Sequence, residues 1–154
     1  MIVGTALREV PPAALWPGLA GLLPFLACAL LPLVTDVAWH PLAQQALVAY
    51  GAVILTFVGA IHWGIALMAP RHPASAACFA WSVVPALWGW LALFPSFIAS
   101  LALLGTGFIV QLVVDYRAAG ALGLPAWYLA LRSLVTSGVL LSLLLASLAA
   151  AMSG

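Results

Sequence analysis

An imidazole inside an apolar run is the first group in this chain that could do chemistry. His62 lies in Phe57-Val58-Gly59-Ala60-Ile61-His62-Trp63-Gly64, about seven residues, or roughly 10 Å, from the end of that run. An ionisable side chain in such a place normally faces a bundle interior and defaults to a functional hypothesis. A neutral imidazole bonded to a neighbouring helix, a ligand contact, proton handling and haem ligation all remain open for it. A bis-His haem would need a second imidazole at similar depth, and His40 and His72 fall in breaks between apolar runs. Any haem would therefore be held by His62 alone or shared with a partner chain.

Gln111 and Asp115 follow Gly107 at spacing four on a later run, so the three share one helix stripe. Arg132 opens the next run, after Trp127 and Tyr128. An Asp115 to Arg132 pair would neutralise two charges where isolated ones are expensive. It serves as structural glue or as one wall of an anion or headgroup pocket, since a guanidinium suits carboxylate and phosphate alike. Arg132 reaching to the interface is the third reading. Trp81, Pro85 and Trp88 stand at i, i+4 and i+7, so two indoles flank a proline on one face. With His62 and Trp63 they could grip a flat apolar ligand such as a quinone or a tetrapyrrole; packing and lipid contact explain them equally. The expected ligand-binding set is His62, Trp63, Trp81, Trp88, Gln111, Asp115 and Arg132, with Asp115 and Arg132 also forming a structural ion pair. Ala52, Thr56 and Gly59 form a small-residue stripe that lets another helix approach.

The elements that must position these groups follow from composition. Of 154 residues, 67% are hydrophobic and 5% charged, against about 25% charged in soluble proteins. Too little polar side chain remains to cover a water-facing surface, so the solvent is lipid. Breaks rich in Pro, Gly and polar residues leave five apolar runs, about 12–34, 42–69, 74–94, 96–115 and 126–152. The expected fold is all-α: a single transmembrane domain over 1–154, a bundle of five helices with the N-terminus inside and the C-terminus outside. Five crossings put Arg8, Arg71, Arg117 and Arg132 on one side, as positive-inside bias requires. The Phe94-Pro95-Ser96 hairpin is the weakest break, since it could be a kink in one broken helix. A signal peptide and a lipoprotein box at Phe25-Leu26-Ala27-Cys28 are set aside, because Pro17, Pro24 and Pro32 interrupt the run and no Leu stands three places before the Cys. Cys28 and Cys78 fall at opposite depths and read as small buried residues.

No His-Glu-x-x-His, Gly-x-Ser-x-Gly or Walker glycines occur, and no span carries paired carboxylates. The expectation is a protein that is not an enzyme, with no catalytic residue and no metal ligands. A net charge of +1 from four Arg and three acids gives no footing for nucleic acid. No motif implies a cofactor; haem and quinone are the two that the residues leave room for. Expected partners are the lipid bilayer and either another membrane subunit or further copies of the chain.

Tyr50-Gly51 through Phe57-x-Gly59-x-x-His62-Trp63-Gly64, then Trp81-Ser82-Val83-Val84-Pro85, Asp115 and Trp127-Tyr128-x-x-Leu131-Arg132, resembles an uncharacterised bacterial integral-membrane family. That family is related to the mitochondrial transmembrane protein numbered sixty-nine. The resemblance spans about residues 42 to 137 and implies a multi-pass protein of the bacterial inner membrane; it brings no activity or site. In architecture only, five spans with seven Trp are also similar to the tryptophan-rich sensory proteins, whose Trp-Pro-rich first loop is absent from residues 35–41. Three functions fit these features. The simplest is a non-catalytic accessory, assembly or scaffold protein. The second is a binding module for a hydrophobic small molecule in an inner-leaflet pocket, and the third a small oligomeric transporter or channel.

Overall fold

In the computed structural model, which describes residues 6–68 and 70–153, the described chain is helical apart from short connections. The helices are α1 Pro12–Ala20, α2 Leu23–Val34, α3 His40–Met68, α4 Ser75–Leu91, α5 Phe97–Leu122 and α6 Ala126–Ser153, with a 3-10 turn at Val37–Trp39 before α3. Four stretches are long and apolar enough to cross a membrane: Pro12–Val34, Val37–Met68, Phe97–Leu122 and Ala126–Met152. The 17 residues of α4 form a shorter apolar helix.

Several boundaries differ from expectation; the third run, expected over 74–94, is helical over Ser75–Leu91. The first apolar run is two helices, because Pro24 has no N–H to donate to Ala20 and the ladder breaks at Gly21-Leu22. The Tyr50 hydroxyl donates to the Gly21 carbonyl across this break, at 3.1 Å. The second run begins at His40 rather than Leu42, and its expected end, Ala69, lies outside the described residues. The largest difference is in α5, which does not stop at Asp115 but runs to Leu122. Ala118, Ala119 and Ala121 favour the helix, and the true stop is Gly123, at φ 61 in the left-handed region, followed by Pro125. Asp115 therefore sits two turns inside the helix rather than at its edge.

Pairwise contacts give the topology. An added Cβ on Gly89 would meet the Ala52 carbonyl and one on Gly59 would meet Pro85; Trp63 packs edge-on against Phe79. Rising numbers on α3 meet falling numbers on α4, so these two are antiparallel. By the same test α3 and α5 are parallel, with Gly51 against Leu104 and Leu55 against Gly107. The first run and α6 are parallel too, with Gly18 against Leu131 and Leu22 against Gly138. The centre is apolar: Phe25 lies 5.0 Å from the Tyr50 ring and 6.1 Å from that of Phe108, above Leu55 and Leu104. Large apolar side chains also cover the outside, among them Trp16, Val34, Phe57 and Phe94. That surface suits lipid, where close packing of small residues rather than water exclusion drives helix association.

Candidate functional site

Trp81 fixes the polarity of the buried network. Its indole N–H can only donate, and it donates to Gln111 Oε1 at 3.0 Å. The amide of Gln111 is thereby oriented, with Nε2 facing the other way. That nitrogen donates to Asp115 Oδ1 at 2.9 Å and stands 3.5 Å from His62 Nδ1. The other ring nitrogen of His62, Nε2, lies 3.7 Å from Asp115 Oδ1. Arg132 closes the network from α6, its Nε donating to Asp115 Oδ2 at 2.9 Å.

The four polar side chains come from three helices. His62 on α3 is 2% exposed, Gln111 and Asp115 on α5 are 0%, and Arg132 on α6 is 7%. The carboxylate thus has one hydrogen bond to each oxygen and a cation beside it, which is how an acid is carried in a low-dielectric interior. Spacing four on α5 stacks Gln111 over Asp115, and the antiparallel turn into α6 returns Arg132 to the same level.

The remaining expected residues divide. Trp81 is in the network, but Trp63 is 46% exposed against Phe79 and takes no part in it. Trp88 lies further along α4, donating its indole N–H to the Leu103 carbonyl at 2.8 Å. The two indoles flanking Pro85 share the wall of a cleft with Val84, Gly107 and Val110, of about 10 Å³. Of the small-residue stripe, Ala52 and Gly59 pack on α4, whereas Thr56 is exposed and bonds back to the Ala52 carbonyl. Among the described residues no three His, Cys, Asp or Glu side chains come together as a metal site would require.

Two features were not singled out by sequence. A groove of about 370 Å³ runs between α3, α4 and α5, almost wholly apolar, with His62 and Trp81 at one end and Ala77, Cys78, Ala118 and Leu122 along it. Four of its nine lining residues are alanine, which carries no chemical signal. The second is the face of α6 around Arg132. Tyr128 and Thr136 flank it at one turn on either side; the Tyr128 hydroxyl lies against Asp115 and Arg132, and that of Thr136 is buried without a hydrogen-bond partner among the described residues. The spacing 128, 132, 136 was the available clue.

A family profile described as protein of unknown function (DUF3429) matches residues 10–148. Transmembrane protein 69 of Xenopus tropicalis is 40% identical over 149 residues, covering 90% of this chain and 54% of the relative. Transmembrane protein 69 of Mus musculus is 38% identical over 91 residues, covering 58% of this chain and 36% of the relative. The chain spans about half the length of the first of these and a third of the second. No solved structure matches it. The family likeness read from the His62 and Trp127-Tyr128 motifs is thus found across most of the chain.

Proposed function

Since the chain belongs to the DUF3429 family of proteins of unknown function, whose description carries no activity, we propose from its geometry that it is a non-catalytic membrane binding module for a hydrophobic small molecule. The observation that carries this is the groove ending on His62. At about 370 Å³ it falls in the range of small-ligand sites, which are mainly apolar with a few polar groups at one point. Alanines on α4 and α5 leave room for an alkyl chain or a flat ring, and the buried ion pair behind His62 holds that end of the groove rigid. A quinone, a tetrapyrrole or a lipid chain has the right chemistry.

In this reading α4 is a fifth crossing. It is supported by the parallel course of α3 and α5, which obliges the chain between them to return across the bundle, and 17 residues lie at the short end of spanning helices. The N-terminus then lies on the arginine-bearing side and the C-terminus opposite. An all-helical bundle suits the inner membrane of a bacterium, since outer-membrane spans are barrels.

A test is photolabelling of the protein in lipid nanodiscs with an aliphatic diazirine probe. Crosslinks concentrated on Ala77, Cys78 and Ala118, and lost in Ala118→Phe, are the expected result. Even labelling around the whole lipid-facing surface would contradict the proposal.

A second reading, an accessory or assembly role, is favoured by another furrow between α3 and α4. Ala49, Ala52, Thr56 and Ala86 line about 360 Å³ there, beside Trp90, and small residues of this kind admit a neighbouring helix. Co-purification of a second membrane subunit, lost in Ala52→Phe, is the result this reading expects.

A further inference from the structure

The groove that ends on His62 is continued at its other end. A second cavity of about 70 Å³ adjoins it, lined by Ile65, Ala66, His72 and Ser75, and the two share Cys78, Ala121 and Leu122 as walls. Together they make one passage from His62 and Trp81, inside the bundle, to His72 in the connection between α3 and α4. From Trp81 back to Ala74 is about 10 Å of helix, within the roughly 15 Å depth of one leaflet.

The two ends of this passage differ in chemistry. At the deep end the side-chain nitrogens are turned into the buried network. The ring nitrogens of His62 stand 3.5 Å from Gln111 Nε2 and 3.7 Å from Asp115 Oδ1, and the Trp81 indole N–H is held by Gln111. Carbon is what remains to face an occupant, and a polar group placed there would be desolvated without a partner. At the shallow end His72 accepts the Ala74 N–H at Nδ1, at 3.2 Å, which leaves its Nε2 as a donor. Arg71 precedes it in the chain. Arg117 stands on α5 three residues after Val114 and four before Ala121, both of which line the groove.

Both arginines are exposed, and among the described residues neither is ion-paired. Of the three acids, Asp115 is taken up by Arg132, Asp36 precedes α3 at the opposite end, and Glu9 follows Arg8 in the chain. Arg71 and Arg117 are therefore uncompensated positive charge at the mouth of the passage. A ligand that matches both ends is apolar where it enters the bundle and anionic where it meets the water.

We propose that the passage takes one acyl chain of an anionic phospholipid, its methyl end toward His62 and Trp81 and its phosphate at Arg71, His72 and Arg117. This rests on the groove reading and narrows it to one ligand class in one orientation. Guanidinium and imidazole donors suit a phosphate, and basic groups at a membrane face attract anionic lipid. A quinone with its ring at His62 would bury its carbonyls against carbon.

The experiment uses the whole chain in phosphatidylcholine nanodiscs with a trace of either phosphatidylglycerol or phosphatidylcholine that carries a diazirine at the end of one acyl chain. Crosslinks are measured at Trp81 and Val114 and, for reference, at the exposed Leu134 and Leu141 of α6. The expected result is labelling of Trp81 and Val114 above the reference, at least about five-fold stronger with phosphatidylglycerol. That excess is lost in Arg71→Gln/Arg117→Gln, which alters only exposed side chains. Moving the diazirine to the carbonyl end of the chain shifts the label to Ala74 and Leu122. Equal labelling of Trp81 and Val114 by the two lipids, an excess unchanged in the double variant, or the reverse order of label along the passage overturns the proposal while the groove reading stands. Labelling of Trp81 and Val114 no stronger than that of Leu134 and Leu141 overturns both.

Discussion

Asp115 is fully buried and its charge is carried by Gln111 Nε2 and Arg132 Nε, each at 2.9 Å. Removing one member leaves the other as an uncompensated buried charge. Arg132→Ala or Asp115→Ala is expected to cost about 3–5 kcal/mol, whereas Asp115→Leu with Arg132→Met together recovers most of it. A double-mutant cycle read by reversible unfolding in detergent checks this; additive losses would show that the two charges do not interact. His62, Gln111, Asp115 and Arg132 were legible in sequence because polar groups are scarce there and lipid makes each one expensive. The placement of Trp63 and Trp88 outside this polar cluster was not, because the direction of an apolar side chain leaves little trace when the helix is apolar all round. In water a helix shows its inner face by contrast with a polar outer one. Here Phe57 and Trp63 face lipid while Leu55 and Val58 face the core, and the residue types do not tell them apart.

Close approach decides the packing of α3 on α4. A Cβ on Gly59 would stand 2.6 Å from Pro85 Cγ, and one on Gly89 2.9 Å from the Ala52 carbonyl oxygen, while one on Gly64 would meet nothing within 4 Å. Gly59→Val is therefore expected to destabilise by about 1–3 kcal/mol through overpacking. Gly64→Ala is expected to stabilise by up to about 1 kcal/mol through helix propensity. Unfolding of the two variants side by side tests this, and equal effects would contradict the interface described. Element boundaries were legible where proline fell among polar residues, as at Pro41, Pro73 and Pro125, but not at Pro24 inside an apolar run, and less so where polarity alone suggested a stop. Tyr116 and Arg117 resemble a loop start, yet the alanines that follow carry α5 on to the glycine that can adopt a left-handed cap. The result matters for the site, since it moves Asp115 from the helix end into the bundle.

At the scale of the molecule, the parallel pairing of α3 with α5 and of the first run with α6 makes one consistent up-and-down bundle if α4 crosses. His72→Cys and Ser96→Cys, placed in the connections before and after α4, are then expected to react with an impermeant maleimide from opposite sides of sealed vesicles. Labelling of both from one side would remove the fifth crossing. Composition made the membrane setting plain, and with it the helical class. The groove was hidden, because alanines from α4 and α5 acquire meaning only when the helices that carry them are side by side.

The most direct measurement of the central claim is native mass spectrometry of the protein extracted in mild detergent, wild type against Ala118→Phe. A stoichiometric small-molecule adduct on the wild type, absent from the folded variant, is the predicted result. A wild-type chain that arrives without any adduct, or one retained unchanged when the groove is filled, would contradict the account.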